Sequence, residues 1–163
     1  MNYSNFKQSF LSRYKNNFDK GTILILFAFI MPIILALVGL ITDLSRALII
    51  KSELNKACMI ASEEATKQIN IDTAQETGEN ILNDDYCRVI EYFFYNNISN
   101  IVNSQQASVT SLNYEIVSSN SNPKYLIVSC KAKINCFFLK MFGFNFIEVS
   151  SFGNGRLKGF LPQ

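Results

Sequence analysis

Residues 22–41, TILILFAFIMPIILALVGLI, form a run of 20 residues without a charged side chain. At a helical rise of about 1.5 Å per residue this run reaches roughly 30 Å, the thickness of a bilayer's hydrocarbon core. A surface helix of a soluble protein keeps a polar face, and this run has none. The competing reading is a cleaved secretory signal, whose apolar stretch is about 7 to 15 residues and closes on an A-x-A pattern. Ala36-Leu37-Val38 does not supply that pattern, so the run reads as a membrane anchor. Removing the first 41 of 163 positions leaves 122 residues, enough for one small core.

Basic residues set the expected orientation. Lys7, Arg13, Lys15 and Lys20 precede the run, whereas Arg46, Lys51 and Lys56 follow it and are partly offset by Asp43 and Glu53. The bias favours a cytoplasmic N-terminus. The organisation expected is a cytoplasmic tail at 1–21, a single transmembrane helix at 22–41 and an exterior, periplasmic domain at 42–163. All four cysteines, Cys58, Cys87, Cys130 and Cys136, then fall on the side where thiols can be oxidised.

Charge and residue types narrow the function classes. The net charge is +2, and the tail alone, four basic residues against Asp19, contributes +3, so the remainder sums to −1. A near-neutral domain lacks the clustered positive field that nucleic acid binding requires. No histidine occurs, which removes the usual general base of a hydrolase and the commonest neutral metal ligand. Neither a C-x-x-C spacing nor a glycine-rich phosphate loop is present. No catalytic, cofactor-binding or metal-binding residue, no cofactor and no small-molecule substrate are expected. A carboxylate-only enzyme using Asp84, Asp85 or Glu115 needs two converging carboxyls, and the placement of these acids on separate elements gives no reason to prefer it.

Beyond the run, no Pro or Gly interrupts 42–70, and Leu44, Ala47, Leu48, Leu54, Cys58, Ala61, Ala65 and Ile69 share a helical face. The membrane helix is expected to continue outward to Asn70 and to bury that stripe. After a polar connection containing Gly78, YCRVIEYFFYNNI places Tyr86, Val89, Ile90, Phe93 and Phe94 on one face of a second helix. Asn83, Asp84 or Asp85 is the expected cap. From Ala107 the period becomes two: Leu112, Tyr114 and Ile116, then Leu126, Val128, Cys130, Ala132 and Ile134, with SSNSNPK as a turn between. CFFLKMFGF and NFIEVSSFGNGRL supply a bulky connection and a third strand with a glycine-rich end. The fold class is α+β: a long N-terminal transmembrane helix continuing into an exterior helix, a second helix, and a small antiparallel sheet of about three strands.

Several residues carry open readings. Cys130 and Cys136 stand too far apart along one strand to bridge each other, so a disulfide would join either of them to Cys58 or Cys87; four buried thiols is the alternative. Pro32 and Gly39 are packing notches or the ordinary Pro and Gly of membrane helices. Asp43 and Arg46, spaced i and i+3, can pair at the outer membrane boundary.

The stretch DKGTILILFAFIMPIILALVGLITDLSRALIIKSELNKACMIASEEA resembles the N-terminal segment of the TadE/TadG family of Flp (tight adherence) pilus assembly proteins. The features that carry the resemblance are Gly21, Phe27-Ala28, Pro32, Asp43 and Arg46, and CFFLKMFGFNFIEVSSFGNGRL is similar to the family's C-terminal end. The resemblance implies a pilin-like component of pilus assembly or secretion machinery in the bacterial inner membrane, with other pilus or assembly-platform proteins as partners. It also makes Gly21 a candidate processing site for a prepilin peptidase. TadE-type members carry a Glu five residues after that glycine, and Leu26 stands here, as in the TadG-like pattern. The alternative function is a membrane-tethered periplasmic binding or sensing module unrelated to pili.

Overall fold

The structure is a computed structural model and describes residues 20–78, 81–104, 106–117 and 124–157. The tail before Lys20 and residues 118–123 of the turn SSNSNPK, both read above from sequence, lie outside the described residues. The chain divides into two units, Met1–Ile41 and Thr42–Gln163. The fold is α+β: a long apolar N-terminal helix, further helices and a three-stranded antiparallel sheet.

Helix α1 spans Lys20–Ala65, 46 residues with Pro32 inside it. Within the first unit its large apolar side chains stand open: Leu24 is 73% and Phe29 72% exposed. This one helix is long and apolar enough to cross a membrane.

From Thr42 onward the same helix becomes a core element. Asp43, Ala47, Ile50, Leu54, Ala57, Cys58, Ala61 and Ala65 are buried, a face of alternating three- and four-residue steps. Leu44 and Leu48, expected on that face, are exposed instead. The face is set one position to the side, because it begins with the carboxylate of Asp43.

The helix stops at Ala65, short of Asn70. Helix α2, Ile71–Thr77, occupies what reads in the sequence as a plain polar connection. Asn70 caps it by accepting from the Thr73 N–H, and Gly78 closes it in the left-handed conformation at φ 71°. The excursion is tied at its base by an antiparallel bridge between Ile69 and Leu82.

Helix α3, Tyr86–Asn103, buries Ile90, Phe94, Ile98 and Ile101. Asp85 holds the cap position but its side chain makes no capping bond. Its carboxylate lies 3.6 Å from Arg88 instead, in an exposed pair that adds only a few tenths of a kcal/mol, on the order of 0.3.

Strands β1 (Ala107–Val117), β2 (Tyr125–Asn135) and β3 (Phe146–Arg156) form a meander in the order β1-β2-β3. A register shift between Val109 and Ser111 leaves Thr110 as the extra residue and keeps Leu112 opposite Cys130. On β2, Leu126, Val128, Cys130, Ala132 and Ile134 are all buried, the alternation of a sheet covered on one face. Burying each such aliphatic side chain stabilises by about 1.5–3 kcal/mol. The outer half of β1 is barely covered, and Tyr114 and Ile116 stay partly open although they share the inward parity.

Candidate functional site

Two constructions in the Thr42–Gln163 unit place residues that the sequence singles out. The first is the seam between α1 and β3. Inward positions on β3 are Ser151, Gly153 and Gly155, opposite Cys130, Val128 and Leu126. A Cβ on Gly153 would meet the backbone of Cys58 and Met59, and one on Gly155 would meet Ser62 and Thr66. The helix therefore rests directly on strand backbone, and its own contact face is correspondingly small: Ala57, Cys58, Ala61, Ser62 and Ala65. The buried hydroxyls are satisfied within the turn, since Ser62 donates to Met59 O at 2.8 Å and Thr66 to Glu63 O at 2.8 Å. Ser151 donates across the seam to Lys51 O at 3.3 Å.

The second construction is the connection between β2 and β3. Its 3₁₀ turn, Leu139–Phe142, ends on Gly143 at φ 89°. The Asp43 carboxylate accepts three backbone N–H bonds there, from Phe137 at 3.1 Å, Phe138 at 2.9 Å and Leu139 at 2.7 Å. Burial pushes the Asp43 carboxyl up, but those three amides and the nearby Arg46 outweigh it, so it titrates below the ordinary carboxylate value. Arg46, the expected i+3 partner, lies with its guanidinium 4.2 Å over the Phe137 ring. Its Nη1 is enclosed without a hydrogen-bond partner among the described residues. The ring face stands in for an acceptor there.

No protein-family profile, curated protein or solved structure matches this chain.

Among the cysteines, Cys58 of α1 and Cys130 of β2 are both buried, with sulfurs 3.5 Å apart. Cys58 donates its S–H to Cys130, which together with burial pushes the Cys58 thiol up, while the accepted bond pulls Cys130 down. Cys87 sits elsewhere, where its hydrogen bonds raise the phenols of Tyr86 and Tyr114. Those two rings meet edge to face at 6.0 Å. Cys136 is buried near Asp43 and Arg46, and burial raises its thiol. All four cysteines are free thiols, and Cys58 and Cys130 are the two whose sulfurs lie close enough for a disulfide of about 2.05 Å to form with a small shift.

Oxidation by a disulfide donor, which takes two electrons and two protons from the thiols, should give a Cys58–Cys130 peptide on non-reducing digestion. Cys87 and Cys136 should remain alkylatable after denaturation. Recovery of any other linkage would overturn this assignment.

The remaining sequence candidates lie in α1. Gly21 is the second residue of the helix, with open space where a Cβ would stand. Pro32 and Gly39 fall within its apolar run. Among the described residues, no group of three or more Cys, Asp or Glu converges on a metal-sized site.

Proposed function

We propose that this chain is a single-pass protein of the bacterial inner membrane, N-terminus in the cytoplasm and 42–163 in the periplasm. It serves Flp/Tad-type pilus assembly or secretion, and it acts by packing against other proteins without catalysing a reaction. The observation that carries this reading is the division of labour along α1. One 46-residue helix supplies an uncovered apolar run and then the central core element of a small sheet domain. An anchor that runs directly into a core helix suits a component that assembles laterally in the membrane. The resemblance of 19–65 and 136–157 to the TadE/TadG family supports the same reading. The Glu missing at Leu26 aligns it with the TadG-like branch, in which entry into the filament through that acid does not arise.

Photo-crosslinking in intact cells tests this. Ala61 is fully buried, so the probe belongs at Leu48 or Ile49, which are 67% and 60% exposed on α1. Capture of a pilin or assembly-platform protein is the expected result. Capture of unrelated envelope proteins alone, with pili unchanged on deletion, would overturn it. That outcome would favour a tethered binding or sensing module, for which an open groove between Gln68 and the Arg88, Tyr92 and Ser99 side of α3 is the available surface.

A further inference from the structure

The β2–β3 connection is the most apolar exposed segment of the Thr42–Gln163 unit. Phe137, Phe138, Met141, Phe142, Phe144 and Phe146 are all exposed, with Met141 at 84% and Phe142 and Phe144 at 62%. Soluble surfaces seldom gather large apolar side chains so densely unless something covers them. The geometry also keeps them out of the chain's own core. The 3₁₀ turn and the left-handed Gly143 reverse the chain tightly, and Asp43 holds the base of the connection by three amides.

Asp43 is also what identifies the cover. It follows Ile41, the last residue of the apolar run, by two positions in the same helix, a rise of about 3 Å. The base of the connection is therefore tied to the helix at the point where the hydrocarbon-spanning run ends. Apart from the buried Asp43 carboxylate, which its three amides satisfy, the charges at the connection are basic. Lys140 lies in the turn, Arg46 lies against Phe137, and no acidic residue occurs from Cys136 to Ile147. Large apolar side chains with basic groups at their margin are the composition of segments that lie in the headgroup and acyl boundary of anionic membranes.

We propose that residues 137–146 form a second membrane contact, seating their Phe and Met side chains in the leaflet that the span leaves and fixing the tilt of the domain against it. The proposal rests on the membrane-anchor reading of 22–41. The connection then adds a bilayer contact to the one made by the run.

The chain contains no tryptophan, so single introduced indoles report without background. The full chain is reconstituted into phosphatidylcholine–phosphatidylglycerol vesicles whose acyl chains are brominated at shallow or deep positions. Four variants are compared: Met141→Trp and Phe142→Trp in the connection, Leu37→Trp in the apolar run, and Phe152→Trp on the open face of β3. In the connection variants, shallow bromines should cut emission by about half or more, in keeping with a burial depth of roughly 5–10 Å. Leu37→Trp, about 6 Å along the helix from the end of the run, should be quenched by the shallow bromines as well, and Phe152→Trp by neither set. If Leu37→Trp is quenched while both connection variants are not, the second contact is overturned and the anchor stands. Blue-shifted emission without bromine quenching means that protein covers the segment, a second copy included, and also overturns it. If Leu37→Trp is unquenched as well, the anchor reading fails and this proposal fails with it.

Discussion

Gly153→Ala is expected to lower the stability of the 42–163 unit by about 3 kcal/mol, a fall on the order of 10 °C in melting temperature for a domain of this size. The added methyl would lie 2.6 Å from Cys58 O and closer still to Cys58 C and Met59 N, inside the 3.0 Å that Cβ atoms essentially never breach. Overpacking against a side chain is relieved by a rotamer change, but here the obstacle is helix backbone. Relief requires α1 to lift from β3. Lifting would open the Ser151–Lys51 bond and loosen Leu54, Ala57 and Ala61, and a gap too narrow for water forfeits dispersion contacts along the whole seam.

Two controls isolate this cause. Asn154→Ala, on the open face of the same strand, should stay within about 0.5 kcal/mol. Gly78→Ala has open space around it and pays only for its left-handed backbone, about 1 kcal/mol. Melting of the full chain, followed by tyrosine near-ultraviolet circular dichroism, measures all three. A Gly153→Ala loss no larger than that of Gly78→Ala would mean that the seam is not tight.

That seam marks the limit of what was legible in the sequence. The period-two run on β2 and the stripe of α3 were readable because burial on one face leaves a local pattern: Leu126 to Ile134 alternate, and Ile90, Phe94 and Ile98 recur at helical spacing. The apolar run was readable because a bilayer demands a continuous uncharged length. The glycines of FGNGR were visible as a glycine-rich strand end, yet their purpose depends on a helix nearly a hundred residues earlier. The small residues of α1 were the complementary signal, since Ala57, Cys58, Ala61 and Ala65 suit only a close neighbour. What they left open was whether a helix or a sheet approaches.

Helix α2 was missed because seven polar-leaning residues carry no core stripe. Its signals were the capping Asn70 and the terminal Gly78, which mark ends without marking a face. Leu44 and Leu48 fall on the expected stripe by hydrophobicity and spacing, yet both stand exposed. Asp43, a charged residue, holds that face instead. It can do so because its carboxylate finds three amides that lie 94 to 96 residues away. No local pattern announces such a partner.

Asp43→Ala should therefore cost about 3 kcal/mol and Asp43→Asn about 2 kcal/mol, because each removes a charged acceptor from three N–H groups and leaves some of them poorly paired. The asparagine keeps one carbonyl for the amides, so its loss is the smaller. Part of the effect should be local, seen as faster amide exchange at Phe137, Phe138 and Leu139, since these open before the sheet does.

The pH dependence separates this from a simple loss of packing. The native carboxyl titrates below its ordinary value, so the folded state binds the proton less readily than the unfolded chain. Its stabilising contribution is complete above the unfolded aspartate value of about 3.9 and disappears as pH falls through the lower native value. From pH 7 to 5 the melting-temperature gap between wild type and Asp43→Asn should be constant. Below about pH 4 it should narrow, because a protonated carboxyl and an amide then present similar acceptors. A gap that stays constant down to the acid limit would show that the carboxylate's charge contributes nothing to holding the β2–β3 connection.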